Sequence, residues 1–360
     1  MKFATRSAIA LFFLSAFVAS GAHAEDSTVT ASSKVKFNAL AQFWTINDTT
    51  AVNDKLNFRL RRAELKFSGS VVENTRWFIM ADPAKSLSTT GTNTVDVTKD
   101  NKVIQDLGVA WNITPDFEVV GGQFKILTTA EGLDSSSELL FPERSAVARA
   151  YGDVRDQGVQ LNYKAEKFKI GAMVSNGINP TQTATTSVPA PNVNDVNSDK
   201  DLSLRVDANP IDGLKVGAFT FANEFNYSKH GRYGANARWD ADGLLVRFEG
   251  VLAGDYGFKS KGWNLDGGYT LNGNIQPIAR WEGLTSETAA GDVTGQSFWL
   301  GVNYLMAKHN AKIQLAGGAL HNMTSVNSLG QTTGTYTLTT GGTSNNKDGA
   351  LVMLAFQAAI

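Results

Sequence analysis

The 360-residue chain contains no cysteine. This excludes a disulfide framework, a thiolate metal site, attached c-type haem and a lipidated N-terminal Cys. No stretch after the N-terminus offers eighteen uninterrupted apolar residues, so there is no helical membrane anchor. Histidine is scarce, and beyond residue 24 only His230, His309 and His321 occur, none in metal-ligand spacing. A nucleophile elbow, a P-loop and a dinucleotide fingerprint are all missing, so neither an enzyme nor a cofactor is expected. Basic excess is absent too. Without Lys2 and Arg6 the chain carries 31 basic against 34 acidic side chains, which excludes a nucleic-acid partner on electrostatic grounds.

What is present begins with an export signal. Lys2 and Arg6 precede an apolar run from Ala8 to Ala19, and Ala22-His23-Ala24 forms a small-x-small cleavage site. The expected division is therefore a signal peptide over residues 1–24 and one domain over 25–360.

Thirty-four glycines against eight prolines, with many Asn, Thr and aromatic residues, suit many strands joined by turns. Runs of about ten residues alternate strictly. Leu107, Val109, Trp111 and Ile113 interleave with Asp106, Gly108, Ala110 and Asn112. Leu244, Val246, Phe248 and Leu252 oppose Arg247 and Glu249, and Phe298, Leu300, Val302 and Tyr304 share one parity. Sixteen such segments are expected, near 34–46, 56–69, 75–83, 103–114, 117–126, 156–165, 167–176, 201–209, 214–223, 231–240, 244–253, 261–271, 274–284, 296–307, 311–323 and 349–360.

Short polar turns, such as Ile113–Asp116 and Asp240–Gly243, alternate with longer connections at Pro83–Lys102, Leu127–Arg155, Gly177–Lys200, Asn223–His230 and Thr324–Asp348. The pattern predicts an all-β, antiparallel transmembrane barrel of about sixteen strands, with short periplasmic turns and long external loops in outer-membrane lipid. Two details stand apart. Leu56, Phe58 and Leu60 share a parity with Arg62 and Glu64, which places a β-bulge near Arg61. The segment Leu351 to Ile360 is apolar on both faces. Trp44, Trp77, Trp111, Trp239, Trp263, Trp281 and Trp299 lie near strand ends, as an interfacial aromatic belt requires.

Three stretches resemble the phosphate-selective porin O and P family. They are Phe58-Arg59-Leu60-Arg61-Arg62-Ala63-Glu64-Leu65, then Val120-Gly121-Gly122-Gln123-Phe124-Lys125, then Leu140-Phe141-Pro142-Glu143-Arg144-Ser145 followed by Arg155-Asp156-Gln157-Gly158-Val159. The resemblance covers roughly 56–163. It implies a sixteen-stranded homotrimeric porin passing small anions or hydrophilic solutes.

In that frame the 127–155 segment is expected to fold into the lumen and narrow it. Candidate wall cations in contact with anions are Arg62, Lys66, Lys125, Arg205, Arg232, Arg238, Arg247 and Arg280, with Arg144, Arg149 and Arg155 from the segment. A guanidinium fork can grip two phosphate or carboxylate oxygens. Against this, Glu64, Asp82, Asp106, Asp207, Glu249, Glu282, Glu131, Asp134, Glu138 and Glu143 are available as structural partners. Two further expectations stay open, a structural or adhesive barrel with an occluded lumen and a soluble periplasmic all-β binding protein.

Overall fold

A computed structural model describes residues 35–48, 55–87, 103–177, 179–180, 189–190, 200–223, 230–255, 258–288, 291–323 and 348–360. The expected signal peptide and most of the longest loops lie outside these residues. Sixteen antiparallel strands form one closed barrel. They are β1 Lys36–Asp48, β2 Lys55–Val72, β3 Thr75–Ala81, β4 Ile104–Thr114, β5 Phe117–Lys125, β6 Arg155–Lys164, β7 Phe168–Ser175 and β8 Asp201–Ile211. The circuit continues with β9 Leu214–Asn223, β10 His230–Ala241, β11 Leu244–Asp255, β12 Phe258–Tyr269, β13 Ile275–Thr288, β14 Gly291–Leu305, β15 Ala311–His321 and β16 Gly349–Ala359.

Each strand pairs with its chain neighbours, and β1 closes on β16 from Leu40 opposite Ala359 to Asp48 opposite Leu351. Closure leaves no edge of unpaired amides, which is what hydrocarbon demands of a sheet. The expected spans coincide with the strands to within a few residues. The largest difference is at β13 and β14, whose ladder runs on through Thr285 and Thr294, with their hydroxyls 3.1 Å apart. Backbone pairing continues there on polar side chains, where alternation of hydropathy has nothing to mark.

The two faces differ as the alternation requires. Leu107, Trp111, Phe298 and Leu300 are about half exposed on the outside. Gln160, Asn264, Asn303 and Gln314 are buried inside. A continuous apolar belt on the outer face of a closed sheet is a surface for lipid, and it rules out the soluble reading. At one end the turns are tight. Asp242 and Gly243 have φ of 51° and 78°, as do, nearly, Asn272 and Gly273, giving two successive left-handed residues that match the twist of the flanking strands.

The phase change in β2 is a bulge. Gln42 pairs with Arg62 while Phe43 pairs with Leu60, so Arg61 is the extra residue. Leu56, Phe58 and Leu60 consequently face out, and Arg62 faces in and is buried. Two of the belt tryptophans are corrected. Trp44 and Trp299 are buried inside the barrel, because each has the parity opposite to its lipid-facing neighbours, Phe43 and Phe298. Trp111, Trp239 and Trp281 do face outward.

Candidate functional site

Between β5 and β6 the chain turns inside the barrel. It forms α1 Ala130–Leu133, a 3-10 turn Ser136–Glu138 and α2 Ala146–Tyr151, whose first turn is capped by the Ser145 hydroxyl accepting from the Ala148 amide. One glycine prepares its departure. Gly122 in β5 has φ of 141°, and a Cβ there would sit 2.2 Å from the Leu107 carbonyl oxygen, so a side chain is excluded. A second makes room on the wall. A Cβ on Gly262 of β12 would press on Leu284, Tyr151 and Val147 at 2.7–3.1 Å, so α2 lies directly against this strand.

Wall side chains hold the segment by its backbone. Arg205 of β8 donates to the Thr128 carbonyl, and the Ala130 amide donates to Glu249 of β11. The Ala146 amide donates to Glu282 of β13 at 2.7 Å. These two carboxylates thus receive the first amides of both short helices, which have no partner within the helix. Asn303 of β14 and Gln314 of β15 donate to the Leu140 carbonyl at 2.9 and 3.0 Å. Lys312 of β15 and Gln357 of β16 reach the Ser137 carbonyl, and Gln42 of β1 reaches Ser136.

Beneath these bonds lies a dry cluster. Leu140, Phe141, Val147 and Tyr151 of the segment pack with Phe219, Val251, Ile278, Trp299, Leu320, Leu351 and Met353 of the wall. This accounts for the two-faced apolar character of the last strand. Its inner face meets protein and not water.

Charge organises the opposite side. The bulge turns Arg61 and Arg62 together onto Glu143, with N–O distances of 2.7 and 2.9 Å. Arg61 also lies over the Trp44 ring, 5.4 Å from its centroid. Burial alone would raise the Glu143 carboxyl, but Arg61, Arg62, Arg149 and Arg144 hold it well below the usual carboxylate range. Asp153 behaves alike. Burial opposes its charge, and Arg144, Lys125, Arg149 and Arg155 keep it ionised well below the ordinary value.

The sequence-derived cations fall into groups. Arg62, Lys125, Arg144, Arg149 and Arg155 gather around those two carboxylates, Lys125 at 3.2 Å and Arg149 at 2.9 Å from Asp153, with Arg155 also 2.6 Å from Asp106. Arg247 and Arg280 flank Asp266 on successive strands at 2.7 and 3.1 Å, and both grip Glu131 of the segment. Arg205 binds Asp207 and Asn236, and Arg238 binds Asp240 at the rim. Arg232 lies over Tyr151 and Phe221. Lys66 is exposed on the inner face, with no ion pair among the described residues. Sequence reasoning passed over Arg59 and Arg61. The bulge signal was the means to find them, since residues before it reverse parity and Arg59 pairs with the inward-facing Trp44.

The profile of the phosphate-selective porin O and P family matches residues 34–271. The chain belongs to that family. This outer-membrane porin also shares its fold with solved structures. The outer membrane channel DcaP of Acinetobacter baumannii is 14% identical over 91% of this chain and 98% of that chain, with a TM-score of 0.60. An anion-selective porin from Comamonas acidovorans is 10% identical over 91% and 100%, with a TM-score of 0.58. OmpT of Vibrio cholerae in a trimer form is 15% identical over 91% and 99%, with a TM-score of 0.56. No curated protein matches the sequence significantly. The family match extends past the motifs of residues 56–163 and takes in the bulge, the glycine of β5 and the whole inner segment of the porin.

Proposed function

We propose that this porin passes small hydrophilic solutes with a mild anion preference, through a lumen narrowed by residues 127–155. The observation that carries the reading is the charge balance at the first half of the wall. Arg61, Arg62, Arg144, Arg149, Arg155 and Lys125 hold Glu143, Asp153, Asp106 and Glu64, six cations on four carboxylates. Excess positive charge beside a narrow, low-dielectric passage raises the local concentration of anions. Most of these groups act by their field, because their hydrogen bonds are already taken up by the segment. Weak, unsaturated attraction of that kind favours passage over trapping.

The apolar cluster supports the alternative of an occluded barrel over part of the cross-section. A cavity of about 460 Å³ between β1–β4 and the segment supports an open remainder. Export by a cleaved signal peptide over 1–24 and assembly as a homotrimer complete the proposal, the latter in line with the trimer form of the Vibrio cholerae OmpT structure. Planar-bilayer recording tests it. Stepwise currents with a reversal potential on the anion side are expected, and Lys125→Gln or Arg144→Gln lowers the preference. Silence, cation preference, or unchanged selectivity in both variants counts against it.

A further inference from the structure

The cavity beside the segment has two electrical poles. Its wall side carries Glu64 and Lys66 of β2 and Asp106 of β4, and its other side carries Asp134 and the Ser135–Ser137 run. Several charges there are already matched. Arg155 holds Asp106 at 2.6 Å, and Lys125 holds Asp153 at 3.2 Å. Two are not. Lys66 is exposed to the cavity without an ion pair among the described residues. The Asp134 carboxylate is 29% exposed and lies 3.5 Å from Arg247, which is engaged more closely by Asp266 at 2.7 Å. Leu40, Met80 and Leu133 add a small apolar surface to the lining.

We infer that this cavity is a low-affinity subsite for small zwitterions of the α-amino-acid type. The solute's carboxylate sits toward Lys66, its ammonium toward Asp134, and a short aliphatic side chain toward Leu40, Met80 and Leu133. The inference rests on the channel reading and names the solute class that best uses this passage. A simple anion is drawn by Lys66, Lys125 and Arg155 but repelled by Glu64, Asp106 and Asp134, and a cation meets the reverse. A neutral polyol gains from neither pole. A zwitterion satisfies both while adding no net charge, so it is concentrated without being trapped. The volume is of the scale of small-molecule sites, roughly 300 Å³ and upward.

The test is efflux from proteoliposomes holding the full-length protein and radiolabelled L-alanine, L-lactate or glycerol. Lactate is alanine with a hydroxyl in place of the ammonium, and glycerol is a neutral solute of similar size. Alanine is expected to leave fastest, by about fivefold over glycerol, the scale of one or two screened ionic contacts. Lys66→Gln slows alanine and lactate together, whereas Asp134→Asn slows alanine and speeds lactate. That opposite response distinguishes a pole from a folding defect, which would slow all three solutes. Alanine no faster than glycerol through the unaltered protein overturns the inference and leaves the channel standing. An unchanged alanine-to-lactate ratio in Asp134→Asn overturns it as well. Vesicles that retain every solute overturn the channel reading and this inference with it.

Discussion

The two halves of the barrel hold one inserted segment by different means. From β9 round to β16 the wall offers Phe219, Val251, Ile278, Trp299 and Met353, and the segment answers with Leu140, Phe141, Val147 and Tyr151. From β1 to β6 the wall offers arginine, lysine and carboxylate, and the segment answers with Glu143, Arg144 and Asp153, beside a smaller apolar cluster of Val120 and Phe124 with Ile126, Leu127 and Val154. The first half positions the segment by packing and buried ion pairs. The half from β1 to β6 holds it by ion pairs that are themselves buried, as at Glu143, Arg144 and Arg62. A cavity lies beside them, from which their charge acts on a passing solute. The difference teaches that an inner face need not be uniformly wet, and that apolar residues facing inward mark where a lumen is closed.

The comparison breaks hardest at Arg280. Its guanidinium binds Asp266 at 3.1 Å and Glu131 at 2.8 Å and stacks on Phe141, 4.4 Å from the ring centroid. Arg280→Met leaves two buried carboxylates short of a partner, at a cost of about 3 kcal/mol. The midpoint of heat-modifiable gel migration is expected to fall and single-channel conductance to rise as the segment loosens. Unchanged values in both would show that the packed half does not depend on this network.

Gly262→Leu is the next strongest. A side chain there collides with Tyr151 and Val147, costing about 1–3 kcal/mol as overpacking. Conductance is expected to change more than ion preference, since α2 is displaced but no charged group is removed. A shift in reversal potential without a change in conductance would contradict that division.

Acid sharpens the charged half with the smallest effect. Glu143 and Asp153 are held well below their ordinary values. Their contribution is complete above the unfolded values of about 4. It is lost only as pH falls through the lower folded values. The part of conductance and anion preference set by Glu143 and Asp153 is therefore expected to stay constant from neutral pH down to about 4 and to alter below it. A transition near pH 6 would place the controlling group elsewhere.

Much of this was legible because lipid and water impose opposite demands on alternate residues. Period two is visible wherever both demands act, so the span expected at 214–223 is strand β9, Leu214–Asn223, itself. A break in the period was equally readable, and the bulge at Arg61 is where Leu56, Phe58 and Leu60 lose step with Arg62. Legibility failed where the inner face is dry. Trp299 reads as a belt residue from its place near a strand end, although Phe298 and Leu300 occupy the outward parity. Leu351 and Met353 read as apolar on both faces without disclosing what they touch. The partners of the cations were hidden for another reason. Glu131 and Arg280 are 149 positions apart, and no local pattern reports which of several carboxylates a distant guanidinium will meet.

The seam between β1 and β16 has a consequence for assembly. Leu40 and Ala359 meet across nearly the whole chain, and contacts so remote in sequence form late, after the entropy of closing the intervening loop has been overcome. Until the final strand arrives, the growing sheet has two raw edges and a greasy exterior, the combination most prone to clumping. The sheet therefore becomes a tube only when its last strand reaches its first.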